Sequence, residues 1–129
     1  MPAGVLGMVN GRRRGDRYGV SAAAANATVR VMVERWAAGW GWDNPLIALA
    51  MTRMAWDPSA VVDYLLQPNA DNQYIRTGYN FMGEFAYLPG NGGTLLAVAM
   101  MAAGTDTSPA MAFPAEWGAQ AEGFVTAYP

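Results

Sequence analysis

The chain has 129 residues, a net charge of −2, no cysteine and no histidine, and it is 53% hydrophobic but only 14% charged. Without histidine there is no Ser-His-Asp or Cys-His nucleophile, and the commonest metal ligand is missing. Without cysteine there is no disulfide framework and no thiolate metal site. The acidic pI of about 4.9 gives no basic face for nucleic acid.

The charged fraction is low beside the roughly 25% of an ordinary soluble domain. A small globule has much surface for its volume, so apolar surface is expected to be exposed or covered by a partner. No apolar run reaches the ~18 residues of a membrane span, and the arginine run follows a short apolar stretch, the reverse of a signal peptide's order, so secretion is not expected. Catalysis, if present, must use carboxylates, Tyr, Arg or backbone groups. No cofactor, metal, nucleic acid or membrane partner is expected.

Residues 1–20 are glycine-rich and read as an N-terminal loop, with an extended piece at 4–9. All eight cations of the chain are Arg, and Arg12, Arg13, Arg14 and Arg17 form one run. That run reads as a solvated loop, with phosphate contact as the other option. Residues 21–129 form the single domain. Ser21 can cap a helix. Val29, Met32, Val33 and Trp36 then recur at helical spacing, and Gly39 is placed to end the helix. On this helix, Glu34 beside Arg30 and Arg35 reads as a solvated ion-pair set.

Trp40-Gly41-Trp42-Asp43-Asn44-Pro45 follows. Asn44 fits an N-cap and Pro45 a first helical position. Leu46–Trp56 is apolar nearly all round, so this second helix should be buried on most sides. Asp57-Pro58 repeats the cap-and-proline device for a third helix over 59–67. The two helices have almost no loop between them and should form a hairpin. Residues 68–92 lack a helical period and read as a long polar loop with interleaved aromatics, a feature that is often functional. A fourth helix runs over 92–103, with Tyr87-Leu88-Pro89-Gly90-Asn91-Gly92-Gly93 as the turn that opens it. Trp117–Tyr128 is expected to hold a short extended segment at 123–127.

The fold class expected is therefore all-α, an α-hairpin array. In such arrays each unit covers its neighbour's apolar face. The residues also carry a resemblance. Trp40-Gly41-Trp42-Asp43-Asn44-Pro45, the helix Leu46–Thr52, Pro58–Leu66, Tyr87–Gly104, Phe113-Pro114-Ala115-Glu116-Trp117 and Glu122-Gly123-Phe124-Val125 resemble, in order and spacing, the C-terminal part of six-hairpin glycosidases. The closest pattern is that of proteins akin to glycoside hydrolase family 65. Those relatives tend to have Gly-His-Asn where this chain has Gly78-Tyr79-Asn80. The resemblance implies part of an (α/α)6 toroid, hydrolysis or phosphorolysis of glycosidic bonds by paired carboxylates, and a carbohydrate substrate. It covers only the C-terminal part of such a protein, so the chain by itself is expected to be inactive. Expected partners are the N-terminal part of the same enzyme or a second copy of the chain.

Glycoside cleavage needs two carboxylates flanking the bond. Asp43 is the catalytic candidate, because a helix mouth favours its ionised form; it could equally cap the second helix. Trp40 and Trp42 are candidates to stack on a sugar ring or to fill a helix seam. Glu84, in the aromatic loop, is a second carboxylate candidate. Asn91 could reach a sugar hydroxyl, although its glycine-rich stretch also reads as a tight turn. The two turns are expected to face one pocket. The competing function, of another class, is a non-catalytic helical protein-interaction domain that uses an exposed apolar face.

Overall fold

The computed structural model describes residues 6–7, 21–36, 39–69, 72–105 and 108–124. The order is α1 (Ala22–Arg35), α2 (Asp43–Arg53), α3 (Pro58–Leu66), β1 (Gln73–Tyr74), β2 (Asn80–Met82), β3 (Phe85–Ala86), α4 (Leu88–Ala103) and a 3-10 turn (Ala115–Trp117). The molecule is mostly helical, but it is not all-α. The strands form an antiparallel sheet in the order β1-β2-β3, inside the stretch expected to be loop. At two or three residues each, the strands are too short to show an alternating pattern, which is why sequence periodicity passes over them.

Helix α2 is the centre of the fold. It packs on α1, α3 and α4, and every residue from Ile47 to Arg53 is buried. This matches an apolar surface that runs around the whole helix. Around it lie Val29 and Met32 of α1, Val61 and Leu65 of α3, and Ala97, Met100 and Met101 of α4.

Two caps form as the side chains require. Ser21 Oγ accepts from Ala24 N, and Asp57 Oδ2 accepts from Ala60 N. Helix α1 ends at Arg35, short of Gly39. Arg30 does not simply join a solvated ion-pair set: its guanidinium lies over the Trp56 ring, 5.6 Å from the centroid. Trp56 Nε1 donates to Asn26 Oδ1 at 2.8 Å, so this indole is fixed from both sides.

Helix α2 ends with Ala55 in the left-handed region at φ 54. Trp56 N donates to Met51 O there, the six-to-one closure that usually takes glycine.

Three further expectations are corrected. Asn44 is not the cap of α2, since the helix already includes it and Trp42 occupies the cap position. The Pro89–Gly93 stretch is not a turn but lies within α4, which begins four residues early at Leu88. Leu6 and Gly7 are helical, and Leu6 is buried in the core. The rest of 1–20, including the arginine run, lies outside the described residues. So do Val125–Ala127; Gly123 and Phe124, at the start of the expected extended segment, are not in a strand.

Candidate functional site

The site is built where α2 and α4 begin. Gly90 and Gly93 make the approach possible. A Cβ on Gly90 would press into the Asn80 side chain and come within 2.9 Å of Gly41 O. A Cβ on Gly93 would sit 2.9 Å from Pro45 Cβ. The glycines that read as turn punctuation are there for close helix packing, and they bring the Trp-rich turn and the start of α4 into contact. Two of the expected motifs thus do share one corner of the molecule.

Asp43 occupies the first position of α2 and is 2% exposed. Its Oδ2 accepts from Gly39 N at 3.0 Å and Trp40 N at 3.1 Å. Its Oδ1 is buried without a hydrogen-bond partner among the described residues.

The charge is felt on two sides. Tyr64 of α3 has its pKa pushed up to about 12, first by burial and then by the Asp43 charge. Tyr87, just before α4, is shifted upward by the same two causes in the same order. The carboxylate therefore sits at the junction of α2, α3 and α4, with its reactive edge closed to solvent. That environment suits a group that fixes backbone, and it is unlike that of a base facing substrate.

What Asp43 fixes is the turn that carries Trp40 and Trp42. Trp40 is 53% exposed and Trp42 41% exposed. Neither indole fills a helix seam completely; both present ring surface to solvent beside the buried carboxylate. Glu84 is exposed on the turn between β2 and β3, next to Gly83 at φ 64. It lies in a different environment from Asp43.

Asn91 is committed to structure. Its Nδ2 donates to Asn80 O and Tyr87 O, and its Oδ1 accepts from Asn80 N at 2.8 Å. This clamps β2 to the first turn of α4.

Sequence reasoning missed a chain of asparagines beneath the site. Asn44 Nδ2 donates to Tyr64 O, and Asn69 Nδ2 donates to Asn44 Oδ1. Asn72 Nδ2 donates to Leu65 O and Gln67 O, closing the end of α3. Asn80 Nδ2 donates to Asn72 Oδ1 at 2.9 Å. Asn44, Asn72 and Asn80 are fully buried. The signal available was the density of Asn in a stretch with no helical period, since buried amides must find partners.

Two clefts are formed by the described residues. One, of about 450 Å³, is lined by Ala27, Thr28, Val31, Met32 and Trp36 of and beside α1. The other, of about 320 Å³, is lined by Thr77, Gly78, Tyr79, Asn91, Thr94 and Leu95. Asn91 thus borders a cleft although its amide is bound, while Asp43, Trp40, Trp42 and Glu84 line neither of these two. Among the described residues no cluster of three carboxylates could hold a metal ion, and no helix is long and apolar enough to cross a membrane. Compared with protein families, curated proteins and solved structures, the chain finds no match.

Proposed function

We propose that the chain is the C-terminal portion of a six-hairpin glycosidase-like protein and forms one wall of its carbohydrate cleft. The observation that carries this reading is the pair of exposed indoles, Trp40 and Trp42, on a turn held by a buried carboxylate. Indole faces are apolar and flat, and they suit the C–H face of a pyranose. A turn clamped at Gly39 and Trp40 loses little further entropy when a sugar docks. In this reading Asp43 is a positioning residue. The paired carboxylates that act on the glycosidic bond belong to other hairpins of an (α/α)6 toroid, and the chain by itself does not turn over substrate.

The test is an intrinsic-fluorescence titration of the chain with a panel of disaccharides, repeated on Trp40→Phe and Trp42→Phe. Saturable quenching that weakens in one of the variants supports the reading. Absence of any saturable change across the panel, or robust glycoside turnover by the chain alone, overturns it.

A second reading is a helical protein-interaction domain. It is favoured by the exposed apolar side of α4, where Leu88 and Leu95 are each 72% exposed and Val98 41%. Self-association in sedimentation experiments that Leu95→Glu abolishes, with no sugar effect, would support this reading over the first.

A further inference from the structure

We infer that the cleft between the β1–β2 hairpin and α4 is a subsite for one neutral pyranose ring, with Tyr79 as its stacking platform. The inference rests on the carbohydrate reading above and adds a place, a residue and a ligand charge. At about 320 Å³ the cleft lies at the low end of the ~300–1,000 Å³ of small-ligand sites, so it suits one ring rather than an oligomer. None of its six lining residues carries a charge, which favours a neutral sugar over a uronate or a sugar phosphate.

The wall is rigid. Thr94 Oγ1 donates to Gly90 O and shares a 2.8 Å hydrogen bond with Tyr74 OH. Asn91 is clamped as described, with one acceptor position left on Oδ1. Thr77 also lines the cleft.

Tyr79 is set by the tight turn above it. Gly78 N donates to Ile75 O at 2.8 Å, and Ile75 N donates to Tyr79 O at 3.0 Å. Gly78 takes φ 88, a conformation that side chains resist, and the ring that follows it is 53% exposed. An amphipathic ring held on a closed turn, in a cleft that Asn91, Thr94 and Leu95 also line, is the arrangement a neutral sugar needs.

The cleft is also close to the Trp-rich turn. Gly90 faces Gly41 O, and Asn91, the next residue of α4, borders the cleft. Consecutive helical residues point about 100° apart, so the two surfaces lie on adjacent sides of one helical turn.

Saturation-transfer NMR on the full chain tests this with methyl α-glucopyranoside, the corresponding galactoside and mannoside, glucuronate and glucose 6-phosphate. The expected result is saturation of the ring protons of at least one neutral glycoside, with about millimolar affinity. Tyr79→Ala should weaken this about tenfold and Tyr79→Phe by less than about threefold, since the ring face carries the contact. Tyr79 is exposed, so either variant keeps the fold, checked by its unfolding curve. Saturation that is unchanged in Tyr79→Ala but lost in Trp40→Ala overturns the subsite and leaves the carbohydrate reading standing. Stronger saturation of the charged sugars overturns the neutral assignment. No saturation of any sugar overturns the subsite and the carbohydrate reading together.

Discussion

Replacing Asp43 by Ala and by Asn separates a group that fixes the turn from one that works on substrate. Ala removes both acceptor bonds to Gly39 N and Trp40 N. Bonds to a charged acceptor contribute about 1.5–3 kcal/mol each, so the gross loss is about 3–6 kcal/mol. Two effects offset it. The unpartnered Oδ1 no longer has to be buried, which returns about 1–3 kcal/mol. The two amides belong to exposed residues, so water replaces part of the lost bonding.

The expected net cost of Asp43→Ala is about 2 kcal/mol. Asn keeps one oxygen on both amides; it loses the charge, and its NH2 takes the buried Oδ1 position that already lacks a partner, so its cost should be about 1 kcal/mol. In a chain of this size each kcal/mol moves Tm by about 4 °C. The assay is urea and thermal unfolding of both variants, with the saccharide titration run on each. Asn should retain sugar binding, whereas Ala should lose it along with the fixed turn. If Ala costs no more than Asn, or if both change stability by less than about 0.5 kcal/mol, Asp43 does not hold the turn and the reasoning fails.

Three other outcomes follow from the packing. Gly90→Ala should destabilise by about 1–3 kcal/mol in urea unfolding, because its Cβ meets the Asn80 side chain and Gly41 O. Gly92→Ala, two residues on in the same helix, meets nothing within 4 Å and should stabilise by about 0.5–1 kcal/mol; equal effects from the two changes would contradict the close approach of α4 to the Trp-rich turn. Asn72→Ala should cost about 2–3 kcal/mol, since it strips Leu65 O and Gln67 O of donors and orphans the Asn80 amide. Tyr64 has a folded pKa of about 12 against 10.0 in the unfolded chain. The unfolded state therefore releases this proton first, and stability falls between about pH 10 and pH 12. Tyr64→Phe should flatten that part of the pH profile.

How much was legible in the sequence depended on length and on the reason for each residue type. Helix α1 and the buried α2 were readable from apolar spacing, and Ser21 and Asp57 from cap chemistry. The sheet was not, because strands of two and three residues leave no period. Its trace was the pair Gly78 and Gly83, both at positive φ, five residues apart. The start of α4 was misread because Gly90 and Gly93 are common in turns. Here they let α4 approach Gly41 and Pro45, a reason that appears only when the packed neighbours are known. Asn44 looked like a cap, but its amide reaches α3, 20 residues away in sequence. Of the site, the Trp-rich turn and its carboxylate were visible in the residues. The burial of Asp43 and the Asn chain beneath it depend on long-range contacts that no local pattern encodes.

The most direct test of the carbohydrate reading is the indole N–H region of a ¹⁵N NMR spectrum, recorded while a disaccharide is titrated in. The Trp56 indole is an internal reference, because its N–H is bound to Asn26 and its ring is covered by Arg30. The account predicts that the Trp40 and Trp42 indole signals move and saturate while Trp56 stays fixed. Stationary Trp40 and Trp42 signals at saturating sugar, or equal movement of Trp56, would contradict it.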